Sequence, residues 1–362
     1  MSRYRAALIG LGRIASTIDD EVQRNPAVML PYAHMACYRE VPSVEVVAAS
    51  DTYAEQREAF GQRWGVDHLY ADYREMLERE RPDIVSVATS AAPRPGIVMD
   101  CAKASVRVIY AEKPIAFSLA EADAMISTCR EYGAKLAIGC TRRWDANWNQ
   151  ARAIIDDGGI GPILQVNGFG RAGISHNGSH LIDLVRYLAG GNVQWVFGEM
   201  ESNAQAGTDD DLMGNGYLAF GNGVRAFARM MPSGGAEWEF EVIGEAGRLR
   251  SIVNGREMEW WQMSTDGKQK EPIRRIFPRP QRIQSPGVRV VLNLVECLET
   301  GIEPNCTGED GRAALEVAIA LRESHRRGGQ RVDLPLANRG LAIRSAETLG
   351  GDLPVSLRRA KA

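Results

Sequence analysis

Two stretches of this 362-residue chain carry residue types at spacings that can do chemistry. The first is Gly10-Leu11-Gly12-Arg13-Ile14-Ala15, a G-x-G-x-x-G/A pattern that follows the short apolar run Arg5–Ile9. Gly10 permits a tight turn, Gly12 lets the backbone approach a pyrophosphate, and Ala15 allows a helix to pack closely on a strand. Amides at the start of that helix, those of Arg13 and Ile14, can then bind phosphate oxygens. Asp51 closes a second apolar run, Val44–Ser50. A carboxylate there accepts hydrogen bonds from both ribose hydroxyls and repels a 2′-phosphate, so NAD is expected and NADP is disfavoured. Ala15 and Asp51 are 36 residues apart, where about 20 is usual. The extra chain, Asp19 to Pro31, is expected to form a flap beside the cofactor cleft, with Asp19, Asp20 and Glu21 in a solvated loop.

The second stretch is His176-Asn177-Gly178-Ser179-His180-Leu181-Ile182-Asp183. Two imidazoles four residues apart can face one ligand on a helical turn. Three readings of His176 stay open. It hydrogen-bonds a substrate hydroxyl or carboxylate, it caps or packs at the turn, or it holds a metal with His180 and Asp183. No further ligand supports the last reading, and no metal is expected. Asp183 is read either as a substrate-binding residue that positions a hydroxyl or as an ordinary acid in the first turn of a helix.

The elements that must position these residues follow from periodicity. Apolar runs at Arg5–Ile9, Val44–Ser50, Ile84–Thr89, Val106–Ala111 and Lys135–Gly139 alternate with helical stretches such as Ala54–Trp64 and Ala120–Tyr132. That rhythm implies parallel crossovers and a doubly wound sheet. After about residue 160 the pattern changes to strands at Ile163–Gly170, Trp195–Ser202, Gly216–Phe220, Val224–Met231, Trp238–Gly244, Arg248–Val253 and Glu257–Met263. Short turns at Gly221-Asn222-Gly223 and Glu245-Ala246-Gly247 suit antiparallel hairpins. Helices are expected at Val288–Thr300 and Asp310–Arg326, the latter capped by Thr307 with an acid three residues on. The fold class is α/β plus α+β: an N-terminal Rossmann doubly wound parallel sheet, then an open, mostly antiparallel sheet with helices on one face. The expected boundaries are 1–142, 143–335 and a C-terminal tail, 336–362.

Composition narrows the partners. Lys and Arg number 43 against 46 Asp and Glu, a formal charge of −3, which gives no electrostatic case for nucleic acid or a membrane surface. The basic start MSRYR before a short apolar run is too short for a signal peptide, and no run of about 18 apolar residues occurs that could span a membrane. Six cysteines without a C-x-x-C pair suit a reduced, cytoplasmic protein.

At Glu112-Lys113-Pro114, closing a late strand of the first half, the chain resembles the glucose–fructose oxidoreductase / inositol 2-dehydrogenase (Gfo/Idh/MocA) family. Further similar features follow in order: the glycine turn, Asp51, Thr89 after the fourth strand, Gly139-Cys140-Thr141-Arg142-Arg143-Trp144, His180-Leu181-Ile182-Asp183, and Cys306 to Gly311. The resemblance covers nearly the whole chain. It implies an oxidoreductase with NAD in the first domain and a sugar or polyol between the nicotinamide and the second-domain sheet. Thr89, Glu112 and Lys113 would line the cofactor, Lys113 and His180 would face the reacting carbinol, and Arg142 would approach the substrate.

These roles make physical sense. Oxidising a secondary alcohol needs a base for the hydroxyl proton, and an imidazole, titrating near about 6.5, suits that task. A Lys beside a cationic ring gives up a proton more readily and can relay it. The chain departs from the family pattern Asp-x-Gly-x-His, with His176 standing where the carboxylate usually is, and lacks the Asn and His common after Thr89. Arg143 is expected in a structural ion pair and Trp144 in packing. His34 either packs on the cofactor domain or lines the cleft, and His68 and His325 read as surface residues.

The expected function is an NAD-dependent dehydrogenase acting on a secondary hydroxyl of a sugar, inositol or sugar acid. The alternatives are an NAD-assisted glycosidase and a non-catalytic NAD-binding regulator. Alternation at Trp238, Phe240 and Val242 suggests a sheet face that buries against another subunit, and relatives in the family imply a homodimer or homotetramer.

Overall fold

A computed structural model describes residues 4–232, 238–265, 270–280 and 284–344. The chain divides into two compact units, residues 1–141 with 284–312 and 344–362, and residues 142–283 with 313–343.

The first unit is built on strands that are mostly apolar and buried toward their carboxyl ends, since both faces are covered. It runs β1 (Tyr4–Ile9), α1 (Arg13–Ser16), α2 (Ile18–Val22), α3 (His34–Arg39), β2 (Val44–Ser50), α4 (Ala54–Trp64), β3 (Leu69–Tyr70), α5 (Tyr73–Glu80), β4 (Ile84–Val87), α6 (Arg94–Lys103), β5 (Val108–Ala111), α7 (Leu119–Glu131) and β6 (Lys135–Ile138). The six strands are parallel in the order β3-β2-β1-β4-β5-β6. That order reverses direction between β1 and β4, the place where such sheets open a ligand crevice at their carboxyl ends. A capping box holds the start of α7, with Ser118 accepting from the Glu121 amide and Glu121 from the Ser118 amide.

The second unit comprises α8 (Ala146–Asp156), β7 (Ile163–Arg171), α9 (Gly178–Ala189), β8 (Val193–Met200), α10 (Asn203–Ala206), β9 (Gly214–Phe220), β10 (Arg225–Met231), β11 (Glu239–Gly244), β12 (Gly247–Ile252), β13 (Glu257–Met263) and β14 (Pro272–Arg275). Its nine-stranded sheet has the order β14-β13-β12-β11-β7-β10-β9-β8-β15, with β15 at Val332–Asp333. Within it only β7 and β10 run parallel. One face is covered by helices. Trp148 of α8 meets Phe240 edge-on, and Phe240, Val242, Val166 and Ala228 are buried beneath them.

Two expectations change here. Phe240 and Val242, read as a face for another subunit, are 2% and 3% exposed and point into the helix-covered core. Alternation identifies two faces but not which of them the helices take. The open face instead carries Phe197 (41% exposed), Tyr217 (38%) and Phe227 (45%), directly opposite one another across β8, β9 and β10.

The chain path also differs from one boundary near residue 142. After β14 it rejoins the first unit through α11 (Pro286–Thr300) and the start of α12 (Gly308–Arg326). Ser285 donates to the Pro31 carbonyl at 2.6 Å, Arg107 donates to the Leu298 carbonyl, and the Ile138 amide donates to the Cys306 carbonyl. Thr307 and Asp310 form the reciprocal cap of α12. At the carboxyl end, within the segment expected as a tail, Leu336 donates its amide to Glu316 and Ile343 is fully buried in the second unit. Residues 345–362 lie outside the described residues. All six cysteines are buried, and none of them is in a disulfide. Among the described residues no helix is long and apolar enough to cross a membrane.

Candidate active site

The eight first-half candidates follow the carboxyl ends of β1, β2, β4 and β5. Gly10 adopts a φ of +86°, and a Cβ there would lie 2.9 Å from the Thr89 amide nitrogen, so the turn accepts no larger residue. At Gly12 a Cβ would meet nothing within 4 Å, leaving open space above the start of α1, which has no side-chain cap. Asp51 is tied into the turn: its Oδ2 accepts from the Leu11 amide at 2.8 Å and its Oδ1 from the Tyr53 amide at 2.9 Å. The Thr89 hydroxyl is buried without a hydrogen-bond partner, and Ile14 and Arg13 open the helix beside them. Open space over uncapped amides, an anchored carboxylate and an orphaned hydroxyl all suit a dinucleotide. Arg13, also expected at the phosphates, pairs by its side chain with Glu21 at 2.6 Å.

The three acids of α2 divide among separate partners. Asp19 accepts the Tyr32 and Ala33 amides, Asp20 pairs with Arg63, and Glu21 pairs with Arg13. The segment expected as a flap is thus tied at its near end by a short acidic helix.

Lys113 follows β5, half-buried, with its backbone held from both sides. Glu112 Oε2 accepts the Lys113 amide at 3.2 Å, and Arg94, almost fully buried, donates to the Pro114 and Thr89 carbonyls. Burial alone would push the Glu112 carboxyl up. The hydrogen bond from His34, with the charges of His34, Lys113 and Arg94, outweighs burial and brings it down to about 2. Glu112 is therefore ionised throughout the physiological range.

In the second unit, His180 sits buried in the first turn of α9, with its ring edge-on to Trp238 at 6.3 Å. The Arg142 guanidinium lies 4.4 Å over the other part of that aromatic cluster, the Trp238 ring, and its Nε donates to Asn254 at 3.0 Å. His176 lies one turn before His180, half-buried, and its amide donates to Asp211 Oδ2 at 2.8 Å while Ser175 donates to Oδ1. Asp211 therefore holds the turn that carries both imidazoles.

Asp183, read either as a hydroxyl-positioning residue or as an ordinary first-turn acid, lies in a buried ion pair. It is 1% exposed, and Arg143 donates to both its oxygens at 2.8 to 3.1 Å, with Arg186 at 3.7 Å. It is the counter-ion of two buried guanidinium groups, as expected for Arg143. Among the described residues, His176, His180 and Asp183 do not gather at metal-holding spacing. Trp144 is buried packing, and His68 is exposed beside Glu80, both as expected. His325 is half-buried and its Nδ1 accepts the Met200 amide, so it belongs to the structure of the second unit.

Asp211, Trp238, Asn254 and Arg94 were not marked in the sequence as neighbours of the candidate residues. Asp211 ends an Asp209-Asp210-Asp211 run that reads as solvated, and the other three reach their neighbours only through tertiary structure.

Comparison with known proteins gives one consistent result. Residues 4–140 match the NAD-binding Rossmann fold of an oxidoreductase family, and residues 165–334 match its C-terminal alpha/beta domain. The chain is 25% identical to D-apiose dehydrogenase of Paraburkholderia graminis, covering 91% of this chain and 89% of that one. It is 27% identical to scyllo-inositol 2-dehydrogenase (NAD+) of Bacillus subtilis, over 90% and 95%. Levoglucosan dehydrogenase in complex with NADH shares the fold at a TM-score of 0.75 and 19% identity, covering 92% of this chain and all of that one. NAD is the cofactor of the first unit.

Proposed function

This chain belongs to the Gfo/Idh/MocA oxidoreductase family, and from that premise we propose that it oxidises a secondary hydroxyl of a sugar, inositol or sugar acid, or runs the reverse reduction. One observation carries the reading: Lys113 stands at the carboxyl end of β5, its backbone fixed by Glu112 and Arg94, in the unit that holds the glycine turn and Asp51.

NAD, held by the glycine turn, Asp51 and Thr89, would supply the acceptor for the hydride of the carbinol carbon. His180 takes the hydroxyl proton as the carbonyl forms, and Lys113 holds the reacting oxygen through a hydrogen bond and stabilises the charge that builds there. His176 and Arg142 orient the substrate through a second hydroxyl or a carboxylate. Asp183 supports them indirectly by holding Arg143, the residue next to Arg142. Asp51 accepts from the ribose hydroxyls and favours NAD+ over NADP+.

The test is a screen of NAD+ and NADP+ reduction across polyols, sugar acids and glycosides. Net NADH with a keto product is expected, with NADP+ at least about tenfold less effective, the worth of one charge-assisted contact. Aglycone release without net NADH would point to a glycosidase instead. Tight NAD+ binding with no turnover on any compound would point to a regulator.

Six buried cysteines with no disulfide among them support a cytoplasmic location. The open face of the second-unit sheet supports a homodimer or homotetramer. Phe197, Tyr217 and Phe227 form an aromatic row joined by Trp195, over which Arg225 and Arg331 stack at 5.8 and 4.7 Å. Such a patch on a sheet is seldom left in water. Light scattering should give at least twice the chain mass, and Phe227→Arg should shift it toward one. A monomeric wild type at micromolar concentration would remove the proposal.

A further inference from the structure

We propose that His34 is a positioning residue for Lys113, acting through Glu112; the inference rests on the reading that Lys113 handles the substrate hydroxyl. His34 opens α3, shortly after the extra chain that ends at Pro31. Its backbone approach is fixed by Asp19 Oδ1, which accepts the Tyr32 and Ala33 amides. Four residues on, the Tyr38 hydroxyl and Ser86 Oγ share a buried hydrogen bond of 2.9 Å that pins α3 to β4. The His34 ring, 5% exposed, stacks on Tyr110 of β5 at 4.8 Å and 24°. From that seat Nε2 lies 3.1 Å from Glu112 Oε1.

The other Glu112 oxygen, Oε2, is the one that accepts the Lys113 amide. The carboxylate thus joins an imidazole on one side to the Lys113 backbone on the other. Gly139 closes it in, since a Cβ there would lie 3.0 Å from Oε1 and 3.3 Å from Cδ. A buried carboxylate stays ionised and in one orientation only while each oxygen keeps a partner. Remove the imidazole nitrogen, and Oε1 loses its charge-assisted bond. The carboxylate then turns toward another donor or takes up a proton, and either change weakens its hold on the Lys113 amide. A displacement of about 1 Å at a reacting group costs on the order of 100-fold in rate.

Simple packing by the His34 ring predicts something else, and two substitutions separate the cases. His34→Phe keeps the stack on Tyr110 and deletes the nitrogen. His34→Gln places an amide near the Nε2 position and gives up the ring. The chain has only six lysines, so reductive methylation with 13C-formaldehyde yields a small set of NMR signals, from which Lys113 is assigned by its loss in Lys113→Arg. His34→Phe should shift or broaden the Lys113 signal alone and lower kcat about 10- to 100-fold, with KM for NAD+ within about threefold. His34→Gln should restore the signal and bring kcat to within about threefold of wild type.

An unchanged Lys113 signal and a kcat within twofold in His34→Phe would overturn the inference, as would a His34→Gln variant no better than His34→Phe. Should His34→Phe fail to fold, His34→Gln and Glu112→Gln are combined in a double-mutant cycle. Coupling in kcat supports the linkage, and strict additivity overturns it. The two levels fail separately. Full activity in Lys113→Met removes the underlying reading, whereas an inactive Lys113→Met beside an unaffected His34→Phe removes this inference alone.

Discussion

Replacing Lys113 with Met should lower kcat about 1000-fold while leaving KM for NAD+ within about threefold of wild type. The size follows from the proposed role. A positioned group that holds the reacting oxygen and shares in proton transfer contributes about 100- to 10,000-fold. In the proposed reading the glycine turn, Asp51 and Thr89 hold most of the cofactor and Lys113 adds little to that hold, so binding should survive. Met keeps the length and apolar stem of the side chain and removes only the ammonium. The measurements are steady-state NADH formation with the most active compound of the screen and an isothermal titration of NAD+. A Met variant retaining more than about a tenth of wild-type kcat would show that Lys113 is not at the reacting oxygen.

The second large effect is on stability. Asp183→Ala should destabilise the protein by about 3–5 kcal/mol, read as a lower urea midpoint. Asp183 is 1% exposed and Arg143 is nearly as buried, so truncation leaves the Arg143 charge out of water with its main counter-ion gone. The cost is mostly that of the stranded guanidinium and less the worth of the pair. Asp183→Leu combined with Arg143→Met should therefore recover most of the loss. A cost below about 1 kcal/mol for Asp183→Ala would mean that water reaches the pair.

The same carboxylate shows where sequence reading stops. At the head of a helix, one turn beyond His180, an acid has several equally good uses, and only the position of Arg143, 40 residues away, decides among them. Elements whose signal is local were legible. Val44–Ser50, Ala54–Trp64 and Glu257–Met263 have the bounds that periodicity predicts, and the glycine turn and the Thr307 cap depend on neighbouring residues only. The short helix that carries His34 has no such pattern, because its residues meet Ser86 of β4 and Tyr110 and Glu112 in and just after β5, all far along the chain. Arg94 is similar: beside two prolines in sequence, it reads as a loop cation, yet it is sunk between two carbonyls. Phe240 and Val242 have the right alternation and the opposite outlook, since the choice of face belongs to helices far along the chain.

The return of Gln284–Arg312 to the first unit has a consequence for how the protein is made. When Thr141 leaves the ribosome, the partners that seal α3, β5 and β6 have not yet been synthesised, and at about 5–20 residues per second they arrive some ten to thirty seconds later. Through that interval the nascent Cys37, against which Gly287 will pack, and the outer edge of β6, which Cys306 and Thr307 will cover, stand bare. The nucleotide-binding half, though begun before the second unit, is completed only after most of that unit has been made.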